Sequence, residues 1–355
     1  MNPTEIKIDI KSMFIEEIED DFLKAGYPKY KAKQVFRWLS KGIDTFDEMS
    51  DLSKEFKLKL CKRYFIPKVS IEKKLISKID GTIKYLFKLD DNEFIESVLM
   101  KYNHGYSICV STQVGCKMGC TFCATGKSGF SRDLRASEIL AQIQLAQKDN
   151  RIRISNVVLM GMGEPLDNYD NVIRFLKLVS CNDGINIGLR HISVSTCGVV
   201  DKIYKLSSEM LPVTLSVSLH APNDKIRSAI MPINKRWCVN ELIMACKDYN
   251  NKTNRRISFE YAMIKGINDT DKCAIELGNL LNGMLCHVNL ILVNEVGGNK
   301  YKKSTKERVE RFKNILSKRG INVTVRRKLG SDIEASCGQL KRSYVKEEGN
   351  TYENI

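Results

Sequence analysis

Three cysteines stand close together in the sequence GCKMGCTFCATG, in the spacing C-x3-C-x2-C. Cys116, Cys120 and Cys123 follow the run YSICVST, which is typical of a β-strand. Cysteine thiolates are the ligands of iron–sulfur clusters, and most [4Fe–4S] clusters are held by four of them. Three thiolates on one loop would hold three irons and leave the fourth iron open to a small molecule. The spacing therefore favours a cluster of this kind.

A structural zinc site is the alternative use of such a loop. It needs four closed ligands, which commonly come from paired C-x2-C knuckles. Cys109 is available as a fourth thiolate, but it stands within the strand rather than on a second knuckle. Eight of the twelve cysteines are scattered along the chain, and cysteines in apolar surroundings are most often small core residues. Zinc binding and core packing stay open as less favoured interpretations of the three cysteines.

Composition and charge limit the class of protein. The 355 residues include 57 Lys and Arg against 42 Asp and Glu, a formal net charge of +15 that fits a polyanionic partner. With 43% hydrophobic and 28% charged residues, the chain has the composition of an ordinary globular protein. The first twenty residues are acidic and lack the apolar core of a secretory signal, and the longest apolar stretch is interrupted by polar residues. We therefore expect a soluble, cytoplasmic protein whose cysteines serve metal or redox chemistry rather than disulfides.

The hydrophobic pattern predicts the elements that position the cysteine loop. Residues 12–62 show apolar residues at three- and four-residue spacing, which predicts helices, and residues 68–112 read as short strands. After these, six strand-like runs begin at residues 155, 190, 213, 256, 288 and 322 and alternate with helix-like runs. Such alternation predicts right-handed βαβ units and a parallel sheet whose functional groups lie at the carboxyl ends of the strands. With the strand before the cysteine loop there are six or seven units, enough for a full or partial barrel.

Polar residues follow the ends of successive predicted strands. GMGEP, with Gly163 and Glu164, comes after the second strand of the series, and it is not a dinucleotide fingerprint because Leu166 stands where glycine is required. The corresponding residues on the third, fourth and sixth strands are Ser195, then Ser218 and His220, then Asn294. Each of them alone is more often a turn or cap residue than a ligand. Together they would line one rim of the barrel.

Several motifs carry a resemblance to a known family. They are ESVLMKY, CVSTQVGCKMGCTFCATG, MGMGEPL, MPIN, VNLILVN and GSDIEASCGQL, with YKAKQVFRW and FDEMSDLSK near the N-terminus. A C-x3-C-x2-C loop with Phe122 before its last cysteine, after the first strand of a βα barrel, resembles the radical S-adenosylmethionine (radical SAM) superfamily. The whole set of motifs is similar to the RlmN family of RNA methyltransferases within that superfamily and extends through nearly the whole chain.

The resemblance implies a fold and its boundaries. We expect an α/β protein, a radical SAM partial (βα)6 barrel with an N-terminal helical accessory domain and a short strand-rich linker. The expected ranges are 1–65 for the RNA-contacting helical domain, 66–101 for the linker with Glu96, 102–331 for the barrel, and 332–355 for a segment with Cys337 and a polar tail. The family holds its [4Fe–4S] cluster with the three loop cysteines, and the open iron chelates the amine and carboxylate of S-adenosylmethionine. The residues implied to contact this cofactor are Gly163, Glu164, Ser195, Ser218, Leu219, His220 and Asn294.

The resemblance also implies a reaction, methylation at C2 of adenine 2503 in 23S rRNA and of adenine 37 in certain tRNAs. Two molecules of S-adenosylmethionine are consumed in each turnover. Cys337 corresponds to the methyl carrier, Cys109 to the thiol that releases the product through a transient disulfide with Cys337, and Glu96 to the general base. On residue type alone Glu96 reads as an exposed strand charge and Cys109 as a core cysteine. The resemblance reverses both interpretations.

The implied partners are 23S rRNA, tRNA and an electron donor such as flavodoxin or ferredoxin, and we expect a monomer. Two basic segments are candidates for RNA contact: 29–41, where lysines and an arginine interleave with Tyr30, Phe36 and Trp38, and 300–328, with twelve Lys and Arg residues. A solvated basic helix face is the plain alternative for either. Two other functions stay open, a Cfr-type adenine C8 methylase, which Pro165 disfavours, and a zinc-stabilised RNA-binding protein. A radical methylthiotransferase would need a second upstream cysteine triplet, and only Cys61 precedes Cys109.

Overall fold

The structure of the protein is a computed structural model that describes residues 7–127, 129–293, 301–333 and 335. Within these residues the strands are, in chain order, β1 (Ile8–Asp9), β2 (Tyr64–Phe65), β3 (Val69–Ile76), β4 (Ile83–Leu89), β5 (Phe94–Tyr102), β6 (Gly105–Cys109), β7 (Gln113–Gly115), β8 (Phe130–Asp133), β9 (Ile154–Leu159), β10 (Ile192–Thr196), β11 (Thr214–Ser218), β12 (Ile257–Met263), β13 (Cys286–Leu292) and β14 (Asn322–Val325). The α-helices are α1 (Ile15–Lys24), α2 (Lys29–Ser40), α3 (Lys54–Arg63), α4 (Ala124–Lys127), α5 (Ala136–Asn150), α6 (Tyr169–Val179), α7 (Val200–Ser208), α8 (Asp224–Ile230), α9 (Val239–Thr253), α10 (Asp271–Leu280) and α11 (Lys306–Ser317). None of the described helices has the length and apolar character of a membrane span.

A ten-stranded mixed sheet forms the centre of the fold. Its order is β14-β13-β12-β11-β10-β9-β6-β5-β4-β3. In this sheet β6, β9, β10, β11, β12, β13 and β14 run parallel to one another. The other pairs, β3 with β4, β4 with β5 and β5 with β6, are antiparallel. Six parallel strands from β6 to β13 are followed by the helices α5, α6, α7, α9, α10 and α11, and β14 adds a seventh strand. The predicted partial (βα)6 barrel with its strand-rich linker is confirmed.

β12 lies inside the parallel part of the sheet and is buried on both faces, as is typical of parallel strands. In β12, six of the seven residues are buried and the seventh is half-buried. Several helices begin at a side chain that accepts a backbone N–H of the first turn, as Asn223 does for α8 and Thr270 for α10. These caps define where a helix can start at the end of a βα loop.

The N-terminal helices dock on the outer helices of the barrel. α1 and α2 bury an apolar face that includes Ile18 and Phe22 of α1. Glu17 then forms an ion pair with Arg174 of α6, with 2.6 Å between the carboxylate and guanidinium atoms. Gln144 of α5 donates to the main-chain carbonyl of residue 39 at 2.9 Å. The helical region is therefore fixed against α5 and α6 by both apolar and polar contacts.

Each of the six predicted strands after the cysteine loop begins within two residues of its predicted start. The sequence pattern did not predict β7, β8, α7 and α8. β7 and β8 are three and four residues long and α8 is seven, too short for a periodic pattern. α7 has the amphipathic spacing of a helix, with Ile203 and Leu206 buried, and the omission there was an error of interpretation.

Candidate active site

The cysteine loop is closed at its base by a small antiparallel hairpin. β7 pairs with β8, and the N–H of Cys116 donates to the carbonyl of Gly129 at 2.8 Å. Gly115 has a φ of 77°, and a Cβ on it would lie 1.9 Å from the Gly129 oxygen. Only glycine fits a position with both of these constraints. The hairpin therefore fixes both ends of the stretch that carries the three cysteines.

The three loop thiols are half-buried. Burial raises the pKa of Cys116 and of Cys120 to about 12, and the neighbouring thiols and the Glu164 carboxylate act in the same direction. A bound metal reverses this balance, because it deprotonates a coordinating thiol outright. Among the described residues, no group of three or more His, Cys, Asp or Glu side chains converges as on a single ion. Thiols that lie near one another without converging on one point fit a multi-iron cluster better than a single zinc ion.

The GMGEP motif follows β9 and packs against the segment that follows β6. Gly161 donates its N–H to the carbonyl of Val110 at 3.0 Å, and a Cβ on Gly161 would lie 2.6 Å from that oxygen. Gly163 has a φ of 100°, and a Cβ there would lie 2.5 Å from the Cβ of Gln113. Both positions require glycine because this neighbouring segment passes so close. Contact between Gly163 and a cofactor stays a prediction.

Glu164 joins the loops after three neighbouring strands. Its N–H donates to Oε1 of Gln113 at 2.9 Å, and its carboxylate accepts the N–H of Leu166 at 3.0 Å and of Cys197 at 2.7 Å. Burial raises the pKa of Glu164, and the two amide donors act in the opposite direction. Each carboxylate oxygen has a second lone-pair site. Glu164 is thus a fixed, buried acceptor with capacity for a further donor.

His220 connects the end of β11 to the cysteine loop. It follows the buried Leu219 and has a φ of 55°. Its Nδ1 accepts the N–H of Ala262 at 2.9 Å, which assigns the ring proton to Nε2, and its ring meets Phe122 edge-on with centroids 4.9 Å apart. Burial lowers the pKa of His220 to about 3, and the charge of Arg227 acts in the same direction. The imidazole is therefore neutral and held in one orientation.

A row of polar residues crosses the carboxyl halves of the next strands. Ser218 lies opposite Glu260, Glu260 opposite Asn289, and Asn289 opposite Thr324. Asn289 donates to Oε2 of Glu260 at 2.8 Å and accepts from the Thr324 hydroxyl at 3.2 Å. Burial raises the pKa of Glu260. Ser195 is half-buried on β10, so both predicted serines lie on strands that lead into this row.

Cys109 and Glu96 lie on one face of adjacent strands. Cys109 of β6 is opposite Val98 of β5, and Glu96 is two residues from Val98, so their side chains share a face. Both residues are buried, and Nζ of Lys84 lies 3.5 Å from Oε1 of Glu96. Burial raises the pKa of Cys109 to about 11, and the charge of Arg326 acts against this effect. The reading of Glu96 as an exposed strand charge, which residue type alone suggests, is therefore wrong.

Two predicted site residues, Asn294 and Cys337, lie outside the described residues. Asp332, five residues before Cys337 in the sequence, is held by two hydrogen bonds. Asp332 accepts the Ser77 hydroxyl at 2.6 Å and the N–H of residue 78 at 2.8 Å. This anchor lies on the turn between β3 and β4, in the same antiparallel extension that carries Glu96.

Sequence reasoning missed three buried polar residues of this region, Gln113, Glu260 and Lys84. Gln113 directly follows a predicted strand, which is the signal used for the other rim residues. Glu260 and Lys84 are charged residues inside apolar strand patterns, ISFEYAM and IKYLFKL. A charge at an inward strand position is the signal that would have singled out both of them.

The first basic segment places its charges on one face of α2. The exposed members recur every four residues and are Lys29, Lys33, Arg37 and Lys41. Tyr30 is exposed beside them, with 57% of its surface accessible. The prediction that Phe36 stacks on a base is wrong, because its ring is buried in the core. The indole N–H of Trp38 donates to Asp51 at 2.6 Å. In the second basic segment, Arg308 and Arg311 of α11 form ion pairs with the same acceptor, Asp271.

Comparison with known proteins gives two matches to family models. Residues 110–277 match the radical SAM superfamily, and residues 8–66 match the ribosomal RNA large subunit methyltransferase N-terminal domain. The chain is 54% identical to the "Probable dual-specificity RNA methyltransferase RlmN" of Alkaliphilus oremlandii over 96% of this chain and 99% of that protein. It is 51% identical to the protein of the same name from Clostridium novyi over 95% of this chain and 99% of that protein.

A solved structure shares the fold. The radical SAM methyltransferase from Sphaerobacter thermophilus superposes with a TM-score of 0.88 at 41% identity, covering 94% of this chain and 98% of the other. The match extends over the N-terminal helices, the antiparallel extension and the barrel, since it leaves out only 6% of the chain.

Proposed function

Because the chain belongs to the RlmN family of the radical SAM superfamily, we propose that it methylates C2 of adenine in RNA. The proposed substrates are adenine 2503 of 23S rRNA and adenine 37 of certain tRNAs, and each turnover consumes two molecules of S-adenosylmethionine. The observation that carries this proposal is the shared face of Cys109 and Glu96 at the strand end where the cysteine loop begins. The resolving thiol must reach the sulfur of the carrier cysteine, and the base must reach the C2 proton of the same adduct. A shared strand face for Cys109 and Glu96 supports these two roles.

The residues proposed to hold the cofactors are those of the rim. Cys116, Cys120 and Cys123 would bind three irons of a [4Fe–4S] cluster. When bound, the cluster and S-adenosylmethionine supply a 5′-deoxyadenosyl radical that activates a methyl group. Glu164 presents its buried carboxylate with remaining acceptor capacity, which suits the ammonium or a ribose hydroxyl of the cofactor. Gly163, Ser195, Ser218, Leu219, His220 and Asn294 complete the proposed contacts.

Three side chains of the chain itself carry the transfer. Cys337 carries the methyl carbon as a thioether to C2 of the adenine. Cys109 then loses its proton and attacks the Cys337 sulfur as a thiolate, so that a disulfide forms as the C–S bond breaks. The electron pair of the C–S bond goes to the methylene carbon, which takes up one proton and becomes the methyl group. Glu96 accepts the proton that leaves C2. The raised pKa of Cys109 keeps it a neutral thiol at pH 7, which protects it from premature reaction until the adduct has formed.

RNA binding is proposed for the exposed basic face of α2. Its four charges recur on one side of the helix, while the opposite side packs into the core. Such a face neutralises phosphates without reading the sequence. The target adenine must be unpaired or flipped out to reach the rim of the barrel. Electrons are proposed to come from a flavodoxin or a ferredoxin.

The test of the proposed function separates the two cysteines. Cys109→Ala should allow the methyl carbon to join C2 but not to leave Cys337, so the protein should carry a covalently linked nucleotide. The double variant with Cys337→Ala should carry none, and the wild-type enzyme should release 2-methyladenine, identified by nucleoside mass spectrometry. Release of 8-methyladenine would favour the Cfr-type function. Normal turnover by Cys109→Ala would refute the role of the resolving thiol.

A further inference from the structure

Arg227 is the largest of the fully buried side chains in the described part of the chain. It lies on the short helix α8, directly after the loop that follows β11. Charged side chains are almost never fully buried unless they are paired with an opposite charge. The surroundings of Arg227 therefore require an explanation.

Every hydrogen bond of the Arg227 guanidinium is made to a neutral acceptor. Nε donates to the carbonyl of Leu219 at 3.1 Å, and Nη2 donates to the carbonyls of Ser218 at 3.2 Å and Cys197 at 2.6 Å. Nη1 donates to the side-chain oxygen of Asn234 at 3.0 Å. Within residues 7–127, 129–293 and 301–333, no carboxylate forms an ion pair with Arg227. Neutral dipoles thus hold this buried cation directly, and the carboxylate of Asp224 is joined to it only through Asn234, whose Nδ2 donates to Asp224 at 2.9 Å.

The helix that carries this cation is joined to the cysteine loop. Thr121, which stands between Cys120 and Cys123, donates its N–H to the carbonyl of Ile230 at 3.0 Å and its hydroxyl to the same oxygen at 3.3 Å. Ile230 is the last residue of α8, one turn beyond Arg227. Burial raises the pKa of Cys120, and the Arg227 charge acts in the opposite direction. The guanidinium is therefore within electrostatic reach of a proposed iron ligand.

The same side chain defines the positions of two strand ends. The carbonyls of Ser218 and Leu219 belong to the loop after β11, and the carbonyl of Cys197 belongs to the loop after β10. The rigid planar fork of arginine holds these three oxygens in fixed directions, whereas the compact ammonium of lysine has three rotatable donors and does not match that geometry. Asn234, in the MPIN motif, orients the fork from the other side through its bond to Nη1.

We propose that Arg227 is a positioning residue that raises the reduction potential of the cluster held by the cysteine loop and fixes the strand-end loops that face the cofactor. Reduction adds one electron to the cluster, and a buried positive charge stabilises the more negative form because the surroundings screen it poorly. The buried carboxylate of Glu164 acts with the opposite sign, so Arg227 offsets a negative charge at the same site. This inference rests on the proposed cluster.

The test compares variants of the anaerobically reconstituted full-length protein. Arg227→Gln removes the charge, Arg227→Lys keeps the charge but loses the fork, and Lys225→Gln removes an exposed charge from the same helix as a control. The midpoint potential is measured by dithionite titration followed by electron paramagnetic resonance, at equal iron content. S-adenosylmethionine affinity is measured on the oxidised protein. Arg227→Gln should have a more negative potential, and Arg227→Lys and Lys225→Gln should match the wild type. Both Arg227 variants should bind S-adenosylmethionine several-fold more weakly.

A second variant retains the arginine and the net charge. Exchanging the two side chains in Asp224→Asn/Asn234→Asp keeps the hydrogen bond between these positions, which now measures 2.9 Å, but places a carboxylate against the guanidinium. Its potential should also become more negative. An unchanged midpoint potential in Arg227→Gln would overturn the inference. If Arg227→Gln loses iron, an unchanged midpoint potential in Asp224→Asn/Asn234→Asp would overturn it instead. A wild-type protein that takes up no cluster would instead refute the proposed function on which the inference rests.

Discussion

His220 predicts a specific dependence of stability on pH. Its ring is buried and accepts a backbone N–H, and burial lowers its pKa from 6.5 to about 3. In the unfolded chain the same ring has an ordinary pKa near 6.5. Between pH 6.5 and about 3 the unfolded state therefore binds a proton at this ring and the folded state does not. Protonation of His220 therefore leaves the free energy of unfolding unchanged above pH 6.5 and lowers it as the pH falls from 6.5 towards 3. Each pH unit below 6.5 costs about 1.4 kcal/mol, so at pH 5 the free energy of unfolding should be lower by about 2 kcal/mol.

The assay compares the wild type with His220→Asn by urea unfolding of the cluster-free protein at pH 7.5 and pH 5. Asparagine tolerates the positive φ at this position, and its Oδ1 can accept the Ala262 N–H in place of Nδ1. The variant should lose about 2 kcal/mol less than the wild type between the two pH values. His104→Asn, at an exposed position, is the control and should follow the wild type. Equal losses in the wild type and His220→Asn would refute the argument that this ring is buried in its neutral form.

Two further substitutions test the packing beneath the site. Lys84→Met removes the ammonium beside Glu96 and should lower the free energy of unfolding by about 3–5 kcal/mol. In a double-mutant cycle, adding Glu96→Gln should recover part of the lost stability. Gly161→Ala places a Cβ 2.6 Å from the Val110 oxygen and should cost about 1–3 kcal/mol in thermal unfolding, whereas Gly188→Ala, where the nearest atom is 3.7 Å away, should cost little. Additive effects in the cycle, or equal stability of the two glycine variants, would contradict these assignments.

The order of elements could be predicted because each long element has its own hydrophobic pattern. β9 to β14 are short runs rich in apolar and β-branched residues, and the helices between them place apolar residues at three- and four-residue spacing. α8 and the β7–β8 hairpin could not be predicted from a hydrophobic pattern, because they are short and are stabilised by tertiary hydrogen bonds. The Gly129 carbonyl that closes the hairpin is fourteen residues from Gly115, and no local pattern encodes that approach.

The candidate site divides in the same way. The cysteine spacing is a local signal that the sequence shows directly, and the structure agrees with it in placing all three thiols on one loop. Burial of Glu96 depends on its neighbours in the sheet and on Lys84, which lies opposite Val98 on the adjacent strand β4. A charged residue in a strand is usually exposed, so composition alone predicted the wrong environment. The resemblance to a family supplied the role that residue type could not.

The loops of the site are held by their neighbours rather than by their own sequence. Gln113 accepts a hydrogen bond from the N–H of Glu164, and the Glu164 carboxylate accepts the N–H of Cys197. Arg227 donates to the carbonyl of Cys197, and His220 accepts the N–H of Ala262 on β12. Each bond joins the end of one parallel strand to the loop after another. Because these donors and acceptors are buried and bonded to one another, the protein's own contacts hold the loops of the rim, and cofactor binding would require little reorganisation of them. Substitution of one of these four side chains should therefore displace both loops that it connects. Its effect on cofactor affinity should exceed the effect of removing a single rim hydroxyl such as that of Ser195.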